Sequence, residues 1–235
     1  MKTLLFAIIV FGSLISAAQE TICHRFNKIN PAQEPSLMPR CRVVGETFYF
    51  DGAVTDEIYY EIKVHYPQVK RLELNSYGGL IEAGFKIAEL VRERQIHTNV
   101  RKGAKCASAC TLIFQAGAIR TAYPSVRFLY HGARLGGNWL DGWWELRDMK
   151  GREAANEFIA EQMIEVRRDT EKLFEAYRRY GMAEEFIQAY KKRSEVSTWF
   201  EDGNFYRVED WIVSVPALMN VGVVQEFDYR EQVEE

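Results

Sequence analysis

The chain has 235 residues, 47% hydrophobic and 27% charged, with a formal net charge of −3. That is globular composition, and one domain of this size can bury a substantial core. The balance of charge excludes a strong electrostatic grip on nucleic acid. The basic run Lys191-Lys192-Arg193 is short and reads as a solvated helix face.

Met1-Lys2 supplies a small positive start, residues 4–15 are almost wholly apolar, and Ser16-Ala17-Ala18 offers a small-residue cleavage site before Gln19. This is the layout of a secretory signal peptide over residues 1–18. The apolar run of about twelve residues is short for a membrane-crossing helix. The expected destination is therefore periplasmic or secreted, with an uncleaved membrane anchor as the alternative. Residues 19–45, with Pro31, Pro35 and Pro39, read as an irregular N-terminal arm before a domain over 46–235.

Export makes Cys23, Cys41, Cys106 and Cys110 disulfide candidates. Of their three possible pairings, the local one is expected, Cys23 with Cys41 and Cys106 with Cys110. No metal site is expected, because the Cys-x3-Cys pair has no matching second pair and the four histidines are scattered.

Along the domain, residues 47–50 are β-prone and end at the turn Asp51-Gly52, and 55–66 has helical spacing. A short strand over 69–74 leads into Asn75-Ser76-Tyr77-Gly78-Gly79, followed by an amphipathic helix over 80–94. Residues 96–101 read as a strand, 106–116 as a buried helix, and 126–130 as a strand delivering His131. Strands alternating with helices of this length argue for a mainly parallel sheet with covered faces. Residues 141–180 hold one very long helix or two in series, and a further helix covers 183–193. Trp139, Trp143 and Trp144 sit in a Gly-containing loop, where aromatic packing is the plainer reading and a hydrophobic substrate lid the sharper one.

Three segments carry chemistry together. Paired glycines between a strand and a helix leave backbone amides able to meet an anionic oxygen, and glycine alone lets the main chain lie so close. Ser108 stands among small residues where a buried helix begins. His131 ends a strand and precedes Gly132.

With these on the page, residues 74–134 resemble the catalytic region of the Clp protease proteolytic subunit, and more loosely the Clp/crotonase superfamily. Its motifs are matched in order by Asn75-Ser76-Tyr77-Gly78-Gly79, Ala83-Gly84, Ala107-Ser108-Ala109, Ala116-Gly117 and Arg127 to His131. The resemblance implies an α/β fold of the ββα superhelix kind, with residues 141–180 as a protruding handle helix that mediates subunit contacts in a homo-oligomer. It implies Ser108 as nucleophile, His131 as general base, and the Gly78 and Ala109 amides as the oxyanion hole. Gly79, Leu80 and Ile81 would offer an edge to an extended peptide. No cofactor is implied.

The departures are specific. Tyr77 replaces the family's proline, and two cysteines flank the nucleophile. No aspartate falls cleanly where the family's third triad member lies, so Glu195 and Asp202 are the candidates, or the pair stands as a dyad. A Ser-Lys arrangement is disfavoured because no lysine occupies the His131 position. The leading expectation is an exported serine protease-like hydrolase acting on peptides or unfolded chains without an ATP-driven partner. The alternative is a catalytically weak or inactive Clp-fold protein that binds peptide or assembles. A crotonase-type acyl-CoA enzyme is disfavoured by export.

Overall fold

The computed structural model describes residues 20–22, 39–65, 67–133, 139–195, 200–201, 204–205 and 211–228. Two short strands, β1 (Glu20–Ile22) and β2 (Arg40–Val44), precede β3 (Thr47–Asp51). β2 and β3 bury alternate residues, as period-2 patterning demands of strands with one covered face. Their antiparallel pairing corrects the expectation that residues 19–45 form an irregular arm. The alternation Cys41-Arg42-Val43-Val44 becomes a strand through its pairing with β3.

α1 (Asp56–Tyr60) runs into a π-helical turn, Glu61–His65, and then β4 (Arg71–Asn75) enters the sheet. The three central residues of β4 are all buried, the mark of a strand covered on both faces. α2 (Ile81–Glu93), β5 (His97–Val100), β6 (Cys106–Ala107), α3 (Ala109–Gln115), β7 (Arg120–Ala122) and β8 (Arg127–Tyr130) follow in alternation. The expected helix over 106–116 thus starts only at Ala109, and its first two residues are strand. α4 (Trp139–Lys150) and α5 (Arg152–Arg179) are two helices in series, divided at Gly151 with φ of 91°. The three tryptophans are therefore helical rather than in a loop. Trp143 is buried against Ala155 and Ile159 of α5, which favours packing over a lid.

α6 (Glu184–Glu195), β9 (Phe200–Glu201), β10 (Asn204–Phe205), β11 (Trp211–Ser214), α7 (Val215–Asn220) and β12 (Glu226–Phe227) complete the described chain. The main sheet has the order β1-β2-β3-β4-β5-β7-β12 and is parallel from β3 onward. A second sheet, β11-β8-β6, stands beside it. One core joins both, with Phe48, Leu72, Ile87, Phe114, Phe128 and Phe174 almost completely buried. Each such side chain contributes about 1.5–3 kcal/mol by leaving water.

The Ala116-Gly117 motif has a packing reason. A Cβ on Gly117 would come 2.1 Å from Thr98 Oγ1 and 3.0 Å from Thr98 Cβ. Thr98 is fully buried and its hydroxyl donates to the Phe114 carbonyl, so it has nowhere to turn. Gly117→Ala is expected to lower unfolding free energy by about 1–3 kcal/mol, measured by denaturant titration.

Candidate active site

β6 is two residues long yet bonded on both edges. On one side the Ser76 amide donates to the Lys105 carbonyl (2.8 Å) and the Ala107 amide to the Ser76 carbonyl (3.0 Å). On the other, Cys106 and Ala107 pair in parallel with Phe128 and Leu129, and the Ser108 amide donates to the Leu129 carbonyl at 2.9 Å. The chain then turns sharply into α3. Ser108 makes that turn with φ 54° and ψ −128°, a conformation that costs a non-glycine residue about 1–3 kcal/mol. A serine on such a strand-to-helix elbow presents its hydroxyl outward, away from both elements.

Several contacts oppose that cost. Thr111 donates to the Ser108 carbonyl through both its amide (2.8 Å) and its hydroxyl (2.6 Å). A hydroxyl has one proton, so in the 2.6 Å contact between Thr111 and Tyr177 the phenol must be the donor. α5 thereby braces the elbow from behind. A disulfide joins Cys106 to Cys110 across Ser108. Closing so short a loop restricts the unfolded chain by about 2 kcal/mol, comparable to the elbow's own cost. Cys41 is also disulfide-bonded; Cys23, its expected partner, lies outside the described residues.

The glycine turn presses directly on this elbow. A Cβ on Gly78 (φ 94°) would lie 2.5 Å from Ser108 Cβ and 2.8 Å from the Ala107 carbonyl oxygen. Only glycine fits, for space and for backbone angle alike. The two expected oxyanion donors differ in state. No acceptor among the described residues meets the Ala109 amide, whereas the Gly78 amide donates to Ser76 Oγ at 3.0 Å. Serine closes such i to i+2 turns on its own backbone, which the motif match did not anticipate. The bridge between Val54 and Gly79 uses the Gly78 carbonyl and the Leu80 amide. The N–H and C=O of Gly79 therefore point away from Val54.

His131 follows β8. Its Nδ1 meets the Gly132 carbonyl oxygen at 2.7 Å. A carbonyl only accepts, so Nδ1 carries the proton and, in the neutral ring, Nε2 keeps a lone pair. The Ala133 amide donates to Thr170 Oγ1 on α5 at 3.0 Å, pinning the segment that bears the histidine. Ser108, Ala109, His131, Gly79, Leu80 and Ile81 all line one cleft of about 390 Å³. Gly78 does not line that cleft; it touches the elbow from beside.

The opposite wall is a face of α5 that the sequence reading passed over: Gln162, Glu165, Val166, Asp169 and Leu173. Glu165 pairs with Arg168, and Asp169 accepts from Lys172 at 2.9 Å. A signal existed, since polar Asp169-Thr170 interrupts an otherwise apolar helical stripe between Val166 and Leu173. Of the expected third members, Glu195 closes α6 and Asp202 lies outside the described residues, as does the Glu195 side chain. Among the described residues no three His, Cys, Asp or Glu converge as metal ligands would.

No family model matches the chain. No curated protein matches it either. Its structure, however, is similar to that of a ClpP1 point mutant from Listeria monocytogenes, with a TM-score of 0.55 over 80% of this chain and 93% of the other. This is a Clp protease-like fold. At 17% identity the likeness carries the architecture alone. Within that Clp-like fold, Ser108 and His131 sit at the ends of the paired strands β6 and β8.

Two buried phenols beside the elbow make a paired test. Tyr177 donates to Thr111, whereas the Tyr130 hydroxyl has no partner among the described residues. Tyr177→Phe should cost about 1 kcal/mol, and Tyr130→Phe should be neutral or stabilising, both read by denaturant unfolding. Burial pushes both phenols above their ordinary value. Their contribution is fully present below the unfolded phenol's value of about 10 and is lost as pH rises beyond it toward the folded values. Each Phe variant should therefore flatten the alkaline fall of the unfolding midpoint.

Proposed function

We propose that this protein is an exported serine peptidase that cleaves peptide bonds with Ser108 as nucleophile and His131 as general base. The observation that supports it best is the shared cleft. A serine held on a left-handed elbow and a histidine with Nδ1 tied to a carbonyl face the same space.

The chemistry follows from those atoms. A serine hydroxyl is a weak nucleophile until a base takes its proton, and Nε2 is the ring atom left with a lone pair. As Ser108 Oγ attacks the carbonyl carbon, the oxygen gains charge beside the Ala109 amide; one such donor is worth about 3–4 kcal/mol in the transition state. The protonated imidazole then gives its proton to the leaving amine, and water attacks the acyl-enzyme by the reverse route. An extended peptide has a main-chain partner in the N–H and C=O of Gly79, with Leu80 and Ile81 beside it. Metal or cofactor chemistry has no part in this reading.

Export follows from the N-terminal reading, and so does independence from an ATP-driven partner. Homo-oligomer formation through α4 and α5 is part of the same proposal, with residues 141–180 as the handle. The exposed Trp144 and Met149 of α4 and Ile164 of α5 supply apolar surface for a second copy.

One observation favours the second reading, a weakly active or inactive peptide-binding Clp-fold protein. The Gly78 amide is already engaged by Ser76 Oγ, which leaves a single unengaged donor of the expected pair. A fluorophosphonate probe separates the two. Covalent labelling that disappears in Ser108→Ala and falls at least about 1000-fold in His131→Ala supports the peptidase. A wild-type chain that stays unlabelled from neutral to mildly alkaline pH supports the binding protein.

A further inference from the structure

We infer that the Cys106–Cys110 disulfide is a positioning element for Ser108, so that hydrolysis is about 10- to 100-fold faster in the oxidised protein than in the reduced one. The inference rests on the reading of Ser108 as nucleophile and adds the condition under which it works. The bond spans four positions of sequence and encloses the one residue there with positive φ. Both cysteines are fully buried in the main core, among side chains that would hold them whether or not they were bonded. What the bond adds is local. It ties Cys106, the first residue of β6, to Cys110 in the first turn of α3, and the chain joins the two elements through Ser108.

Breaking the bond cannot be silent there. Bonded sulfurs sit about 2 Å apart, whereas unbonded heavy atoms keep about 3.5–4 Å. The separation has to be absorbed inside a packed interior. β6 is bonded on both edges and cannot slide, and Gly78 blocks one side of the elbow, lying against Ser108 and Ala107. The start of α3 is the part that can shift, and it carries both the Ser108 carbonyl contacts and the Ala109 amide. An error of about 1 Å in such a group costs up to about 100-fold in rate.

The test uses the full chain and the kinetics of fluorophosphonate labelling, resolved into a maximal rate and a half-saturating concentration. Dithiothreitol transfers two electrons and two protons to the bond, giving two thiols and closing to its own cyclic disulfide. Titration of the thiols confirms reduction. Reduction is expected to lower the maximal labelling rate about 10- to 100-fold with little change in the half-saturating concentration, and re-oxidation to restore it. The double variant C106A/C110A should label at the low rate whether or not dithiothreitol is present, while its thermal unfolding stays cooperative. Its indifference to the dithiol separates this bridge from the one at Cys41. Full-rate labelling of the reduced chain, or of the double variant, overturns the inference alone. An oxidised wild type that never labels overturns the peptidase reading and this inference with it.

Discussion

The molecule turns on a two-residue strand. β6 has a hydrogen-bonded neighbour on each edge, the Ser76 turn on one side and β8 on the other. That double bonding joins the main sheet to the small one and brings the glycine turn, the Ser108 elbow and the His131 strand end to one place. A strand so short has no stability of its own. It exists because the flanking segments supply partners for its amides and carbonyls, which buried backbone requires. The cleft is thus a product of backbone pairing first and of side-chain chemistry second.

Much of this was legible in the sequence. The alternation of strands and helices from residue 47 to 130, the paired glycines and the serine among small residues each left a local pattern that the structure reproduces. The local disulfide between Cys106 and Cys110 was legible for the same reason. Four positions on one turn need no long-range information. The features that escaped depend on distant partners. β2 became a strand only through β3, and the α5 wall became part of the cleft only because α5 returns over the elbow. The engagement of Gly78 by Ser76 Oγ escaped for a different reason. It is a choice of hydrogen-bond partner within two residues, and a motif match is blind to that.

α5 joins these levels. Its Tyr177 donates to the threonine that holds the Ser108 carbonyl, its Thr170 accepts from the segment bearing His131, and its Asp169 and Leu173 wall the cleft. Those contacts lie within about two turns of one helix. A helix that contacts the Ser108 and His131 segments alike sets their separation, so its seating matters more to the cleft than any single residue on it.

Arg120 has a consequence for how the chain is made. Its buried guanidinium donates to the carbonyls of Gly117, Gly222 and Val223, and β7, which it begins, is completed by β12. Burial disfavours its charge, and the carbonyl dipoles answer that cost. Two of the three acceptors lie a hundred residues downstream. A growing chain therefore passes through a long interval in which this cation lacks them and the β7 border of the sheet is open. An open border invites pairing with other chains, so residues 222–227 act as the seal whose arrival ends the vulnerable phase of biosynthesis.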